Sequence, residues 1–141
     1  MVKGEPVFIN GDGETSHDFC YVANAVQANL LAATAQNSEA VNEVYNVAVG
    51  DRTTLNDLYS QLRCLLAPDF PHLAIAKPAY RDFRAGDMRH SQADVGKAAN
   101  RLGYAPTHRF TDGLAGAISW YRAFTPKPTP AIGVTASNIL R

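Results

Sequence analysis

The chain holds more amphipathic helix than it holds sheet to cover it, and this imbalance limits what it can fold into. Val44-Tyr45-Asn46-Val47-Ala48-Val49, followed by Gly50, is an apolar run without strict alternation, the pattern of a strand buried on both faces in a parallel sheet. No other segment reads as a convincing central strand. Before it, Asn24 can cap a helix in which Val26, Leu30 and Ala33 recur at helical spacing, ending near Gln36 or Asn37. After it comes the clearest helix. Leu55, Leu58, Tyr59, Leu62, Leu65 and Leu66 share one face, and Thr54 with Asp57 three residues on forms a capping-box-like start. One strand cannot bury both helix faces, so the chain is expected to be a piece of something larger or a partner in an assembly.

Shorter elements flank this centre. Val7 to Ile9 and Phe19 to Val22 are predicted strands around an exposed, glycine-containing loop at 10–16. Pro68 and Pro71 mark a loop, since each removes a backbone donor. Ile75 to Tyr80 is a further strand, held to an edge or to irregular pairing by Pro78. Val95, Ala98, Ala99 and Leu102 predict a short helix stopped by Gly103. Leu114, Ala117, Ile118 and Tyr121 predict a last one, capped by Thr111 and stopped by Pro126. Strands alternating with helices make the class α/β, with parallel pairing expected. Residues 1–125 are expected to form one folded unit. Residues 126–141, with three prolines and no periodic apolar face, are expected to be a flexible tail.

Charge excludes several functions. Thirteen basic residues balance thirteen acidic ones, so no broad field gathers nucleic acid or anionic lipid, and any anion site must be local. No stretch approaches the roughly 20 apolar residues of a membrane span, and nothing near Met1 looks like an export signal. Cys20 and Cys64 have no C-x-x-C spacing, which argues against a disulfide framework. The four histidines at 17, 72, 90 and 108 make no recognisable metal set with them. A reducing cytoplasm is the expected compartment.

Three blocks carry a resemblance. They are Asn10-Gly11-Asp12-Gly13-Glu14-Thr15-Ser16-His17-Asp18-Phe19-Cys20-Tyr21-Val22, then Val44 to Leu55, then Tyr80-Arg81-Asp82-Phe83-Arg84-Ala85-Gly86-Asp87-Met88-Arg89-His90-Ser91. In order and spacing they resemble the C-terminal portion of bacterial UDP-N-acetylglucosamine 4-epimerases, which are extended short-chain dehydrogenase/reductases. The match runs over roughly residues 3 to 124. The resemblance implies the substrate-binding subdomain with the last strand and helices of an NAD(P)-binding Rossmann-like fold. It implies a UDP-N-acetylhexosamine as ligand, NAD as cofactor of the complete family member, and a separate N-terminal Rossmann portion as partner, with a homodimer among the assemblies it allows.

The same resemblance places Phe8, His17, Arg84, Asp87 and Ser91 at the substrate. Arg84 would contact the diphosphate, where a planar fork of donors suits phosphate better than a lysine does. Asp87 would hold the ribose hydroxyls, and Gly86 would let the backbone pass close to the ligand. Ser91 would stand beside the C2 substituent of the sugar, its small side chain leaving room for an N-acetyl group. Read without the resemblance, the third block is a solvated charged loop with internal ion pairs worth about 0–1 kcal/mol each. Ser91 would then merely cap the helix that follows.

One departure concerns His17, which stands where the family usually has an arginine. A histidine carries full charge only below a pKa near 6.5, so phosphate binding is expected to be weaker or pH-dependent. The family's glycine-rich dinucleotide loop and its Tyr-x-x-x-Lys pair are both missing. Gly11 and Gly13 lead into Glu14-Thr15-Ser16, and none of the six tyrosines has a lysine four residues on. The chain alone is therefore expected to bind neither NAD nor to catalyse. Three readings remain at this point: part of an epimerase, a binding module without turnover, and an interaction protein.

Overall fold

The computed structural model describes residues 1–124, so the tail at 126–141 and the helix stop at Pro126 lie outside the described residues. Four strands and four α-helices follow one another as β1 (Phe8–Asn10), β2 (Ser16–His17), α1 (Val22–Ala33), β3 (Thr53–Thr54), α2 (Leu55–Leu66), β4 (Ala79–Arg81), α3 (Gly96–Leu102) and α4 (Phe110–Phe124). β1 and β4 pair in parallel, Phe8 opposite Ala79 and Asn10 opposite Arg81. β2 and β3 pair antiparallel, His17 opposite Thr53 and Ser16 opposite Thr54. No described helix is long and apolar enough to cross a membrane.

Helix α2 follows its sequence closely. The Thr54 hydroxyl accepts the Asp57 N–H at 3.0 Å and donates to the Asp57 carboxylate at 2.7 Å, which satisfies an orphan donor of the first turn. Its apolar face buries Leu66 with Phe70, Leu73 and Ile118, so α2, the 3-10 turn Pro71–Ala74 and α4 share one core. Helix α3 ends at Gly103 in the left-handed conformation, φ 69°. Strand β4 begins only after Pro78, because the missing proline N–H leaves Ala79 as the first residue able to donate to Val7. Gly113 of α4 has a packing reason: a Cβ there would stand 2.6 Å from the Tyr21 Cβ.

Four expectations fail, each for a tertiary reason. Phe19 to Val22 is no strand. Strand β2 lies earlier, at Ser16–His17, starting on the last residue of the stretch expected to be an exposed loop, and α1 already starts at Val22. Asn24 does not cap that helix. It lies inside the first turn, wholly buried, with its amide bound to the 107–108 turn, and α1 ends at Ala33 rather than at 36 or 37. Thr111 does not cap α4, which begins one residue earlier at Phe110. Val44 to Val49 forms no strand among the described residues; the chain bends at Ala48, Val44 is 85% exposed, and only Ala48 is buried.

What fixes Val44 to Val49 on the fold is side-chain packing. Tyr45 and Val47 pack on the cluster of Ala28, Ala98 and Tyr104, which joins α1 to α3. Tyr104 is only 2% exposed, and its hydroxyl donates to the Ala48 carbonyl at 2.8 Å. Burial first, then the neighbouring Cys20 and Asp18, pushes the phenol from its ordinary 10.0 up to about 12. The raised value means that the neutral phenol stabilises the fold fully below pH 10, and that this contribution fades as pH rises towards 12. Tyr104→Phe is therefore expected to cost about 1 kcal/mol at pH 7, the loss of one neutral hydrogen bond. The difference from the parent should shrink between pH 10 and 12, as followed by urea unfolding.

Candidate functional site

The third motif block closes over the first. From β4 the chain passes Asp82 and Phe83, turns at Arg84–Asp87, and returns as a strap, Arg89–Ser91, laid along β2. Ser16 N–H donates to the Arg89 carbonyl at 2.9 Å and Ser91 N–H to the Ser16 carbonyl at 3.0 Å, with Ser16 and His90 in a parallel bridge. Side chains alternate across such a ribbon. One face carries His17 with Ser91, His17 Nδ1 lying 2.9 Å from the Ser91 Oγ. The other carries Ser16 with His90, Oγ to Nδ1 2.9 Å, beside a polar cavity of about 580 Å³ that Arg52 and Arg89 also line.

Asp18 sets this arrangement. Its carboxylate accepts the N–H groups of Val49 and Gly50 at 3.0 and 2.9 Å and that of Ala93 at 3.3 Å. One side chain thus ties the turn after the extended run to the residues just past Ser91. Its partners lie 31 to 75 positions away, so nothing local in the sequence announces the role.

The Arg84–Asp87 turn is clamped at both ends. Phe83 stacks against Gly11, where a Cβ would collide with the ring, and Gly11 sits at φ 80°. At the other end Arg89 lies 5.1 Å from the Phe83 centroid and pairs with Asp12 at 2.5 Å. The Glu14 N–H, then the Arg89 guanidinium, holds the Asp12 carboxyl below its ordinary value. Arg89 is therefore committed to the scaffold. Arg84 is not: its Nε stands 3.7 Å from Asp87, with side chains 73% and 48% exposed. The Asp87 N–H closes the turn on the Arg84 carbonyl at 3.2 Å. Gly86 serves this turn by its φ of 84°; a Cβ there would meet nothing within 4 Å, so close approach is not its reason.

The five expected site residues thus fall into three groups. Arg84 and Asp87 face one another across the turn, and His17 and Ser91 share a hydrogen bond. Phe8, on β1, lies under the Arg81 guanidinium, 3.3 Å from the ring centroid, at the rim of an apolar cleft of about 370 Å³. Loop 82–91 joins the first two groups, Phe8 meets Arg81 just before it, and among the described residues no hydrogen bond, ion pair or ring contact links one group to another. The sequence reading does not single out Arg52, Arg81, Arg89 or His90 as candidates, although three of the four lie in the charged third block and Arg52 lies within the second.

Known proteins share this architecture. Residues 1–48 match the sequence model of the NAD dependent epimerase/dehydratase family. The UDP-glucose 4-epimerase of Thermotoga maritima, solved with UDP-glucose, is 36% identical, with a TM-score of 0.73 over 88% of this chain and 37% of that one. A UDP-N-acetylglucosamine 4-epimerase from Methanobrevibacter ruminantium, solved with UDP-N-acetylmuramic acid, is 32% identical, with a TM-score of 0.73 over 88% of this chain and 37% of its own. A dTDP-glucose 4,6-dehydratase from Actinoplanes is 31% identical over 87% of this chain and 36% of its own length. The chain spans little more than a third of each of these proteins.

The residues described do not fit the nicotinamide cofactor of that family's name. The one glycine-rich turn, Gly11–Gly13, is filled by Phe83 against Gly11 and by Asn56 against Gly13, and it leads into β2 rather than into a helix N-terminus.

Proposed function

The chain belongs to the NAD-dependent epimerase/dehydratase family, a branch of the extended short-chain dehydrogenases, and on that premise we propose that it is the UDP-sugar-binding C-terminal part of a UDP-N-acetylglucosamine/UDP-N-acetylgalactosamine 4-epimerase. In this reading it works in the cytoplasm on precursors of polysaccharide, and it is inactive alone. The NAD-binding Rossmann portion and the Tyr-x-x-x-Lys pair belong to other polypeptide. Arg84 holds the diphosphate, Asp87 the ribose hydroxyls, Phe8 lies near the base, and His17 with Ser91 lines the sugar end.

The observation that carries this reading is the Arg84–Asp87 turn, rigid at its base and uncommitted at its tip. A diphosphate offers Arg84 a shorter, doubly charged partner than the carboxylate 3.7 Å away. Asp87, released from Arg84, is then free to accept two hydroxyls. The Thermotoga maritima and Methanobrevibacter ruminantium proteins were solved with UDP-sugars, which supports the ligand class.

Ser91 supplies the finer specificity. Its hydroxyl already lies against His17, so a tyrosine there fills the space of a C2 acetamido group. Ser91→Tyr is expected to lower affinity for UDP-N-acetylglucosamine at least tenfold while leaving UDP-glucose within a factor of three, by titration calorimetry. Equal losses for the two sugars would remove Ser91 from the C2 wall.

A further inference from the structure

Two dipeptides face each other across the ribbon in opposite order. Ser16-His17 forms β2 and His90-Ser91 lies on the strap, with Ser16 and His90 in a parallel bridge. Each face therefore carries one hydroxyl and one imidazole. Ser16 Oγ lies 2.9 Å from His90 Nδ1 on one, and Ser91 Oγ lies 2.9 Å from His17 Nδ1 on the other. A hydroxyl both donates and accepts, so both bonds form whichever tautomer each ring takes.

A one-residue slip of the strap loses this match. It displaces the chain by about 3.3 Å and turns every side chain to the other face. In one direction His90 meets His17 and Arg89 meets Ser16, which sets imidazole against imidazole. In the other, Ser91 meets Ser16 and Gln92 meets His17, so two hydroxyls share the buried position. The remaining ties leave the near end of the strap to Ser16 and His90. Asp18 fixes Ala93, beyond Ser91, and the Arg89–Asp12 pair is exposed, 49% and 45%, where water weakens it. Ser16 is 5% exposed, and a buried hydroxyl is costly to leave without its partner.

We propose that Ser16-His17 and His90-Ser91 are a two-sided register key, and that His90 is a positioning residue: by bonding Ser16 on one face it keeps Ser91 against His17 on the other, at the sugar's C2 substituent. The functional half rests on the UDP-N-acetylhexosamine reading of the site; the register does not. His90 touches no ligand in this arrangement. It acts on sugar selectivity through the strap, while the Arg84–Asp87 turn keeps its own clamps, Phe83 on Gly11 and Arg89 on Asp12. Loss of His90 therefore acts on the sugar end and spares the diphosphate end.

The test follows the 141-residue chain by NMR, and by titration calorimetry with UDP and with UDP-N-acetylglucosamine. His90→Leu keeps the bulk and removes the ring nitrogens. In it the Ser91 amide, bonded to the Ser16 carbonyl at 3.0 Å, is expected to exchange at least tenfold faster, and the His17 Nδ1 resonance to shift although His17 is untouched. Affinity for UDP-N-acetylglucosamine should fall at least tenfold and that for UDP by less than threefold, a split that general loosening of the fold would not give. His90→Asn, whose amide can stand where Nδ1 stands, should bring the exchange rate and the sugar affinity back to within threefold of the parent. Should His90→Leu fail to fold, Ser16→Ala breaks the same bond from the buried side and is expected to give the same changes. An unchanged Ser91 amide and His17 resonance, equal losses for UDP and UDP-N-acetylglucosamine, or an asparagine variant no better than the leucine one would each overturn the assignment. A parent chain that binds neither ligand would overturn the sugar reading alone, and exchange and resonance would still decide the register.

Discussion

Asn24→Ala is expected to lower the unfolding free energy by about 3 kcal/mol and the melting temperature by on the order of 10 °C. The side chain is fully buried. Its Oδ1 accepts the Thr107 and His108 N–H groups at 3.0 and 3.1 Å and the Thr107 hydroxyl at 3.3 Å, while Nδ2 donates to the His108 carbonyl at 2.7 Å. Alanine removes the partner and leaves the polar atoms of the 107–108 turn without replacements, so the cost is that of stranded groups rather than of average hydrogen bonds. The turn delivers the chain into α4, whose Ile118 completes the core with Leu66, Phe70 and Leu73. Damage at Asn24 should therefore reach a second cluster. Asn24→Asp keeps the acceptor but sets a carboxylate oxygen against the His108 carbonyl in a fully buried site, and should cost at least as much as the alanine. Thermal unfolding of both variants checks the order; an alanine variant within 1 kcal/mol of the parent would show that water or a rearranged turn replaces the amide.

Asn24 also marks the limit of what the sequence discloses. As a polar residue at the head of an apolar periodic segment it has every local feature of a cap. Its partners lie 83 and 84 positions away, and only the folded chain makes them neighbours. Where the determining contacts are local, the reading holds: Thr54 and Asp57 three apart start α2, and Gly103 ends α3 through its own backbone freedom. Val44 to Val49 is the intermediate case. Its composition announces a buried strand, and the chain does pack Tyr45 and Val47 against the α1–α3 cluster, but a strand is completed by a neighbour and the described residues supply none. The imbalance of helix over sheet in the sequence and the unpaired run in the structure are thus two views of one deficit. At the site, the resemblance names Arg84, Asp87, His17 and Ser91 without their arrangement; the structure sets Arg84 and Asp87 in one turn and His17 beside Ser91. The sequence reading does not find Asp18 or the Asp12–Arg89 clamp that hold those groups in place, because long-range ties leave no local pattern.

Arg84→Ala is expected to cost the UDP-sugar site 10- to 100-fold in affinity, as a charge-assisted hydrogen-bond partner worth roughly 1.5–3 kcal/mol is lost. It should cost almost no stability. The Arg84–Asp87 pair is exposed and long at 3.7 Å, and such pairs contribute about 0–1 kcal/mol. The turn itself rests on Phe83 against Gly11, on Arg89 with Asp12 and on the positive φ of Gly86, none of which the substitution touches. Binding and folding are therefore separable at this residue, which makes it a cleaner probe than Arg89, whose removal would open the clamp. Exposure adds a second signature. A guanidinium meeting a diphosphate in solvent is screened by salt, so the parent should lose affinity between 50 and 500 mM NaCl (about a threefold change in Debye length) and the alanine variant should lose less. Calorimetric titration of UDP at the two ionic strengths checks both statements. An alanine variant that binds UDP as tightly as the parent, with the same salt dependence, would take the diphosphate away from the turn and leave Arg84 as the solvated half of a surface ion pair.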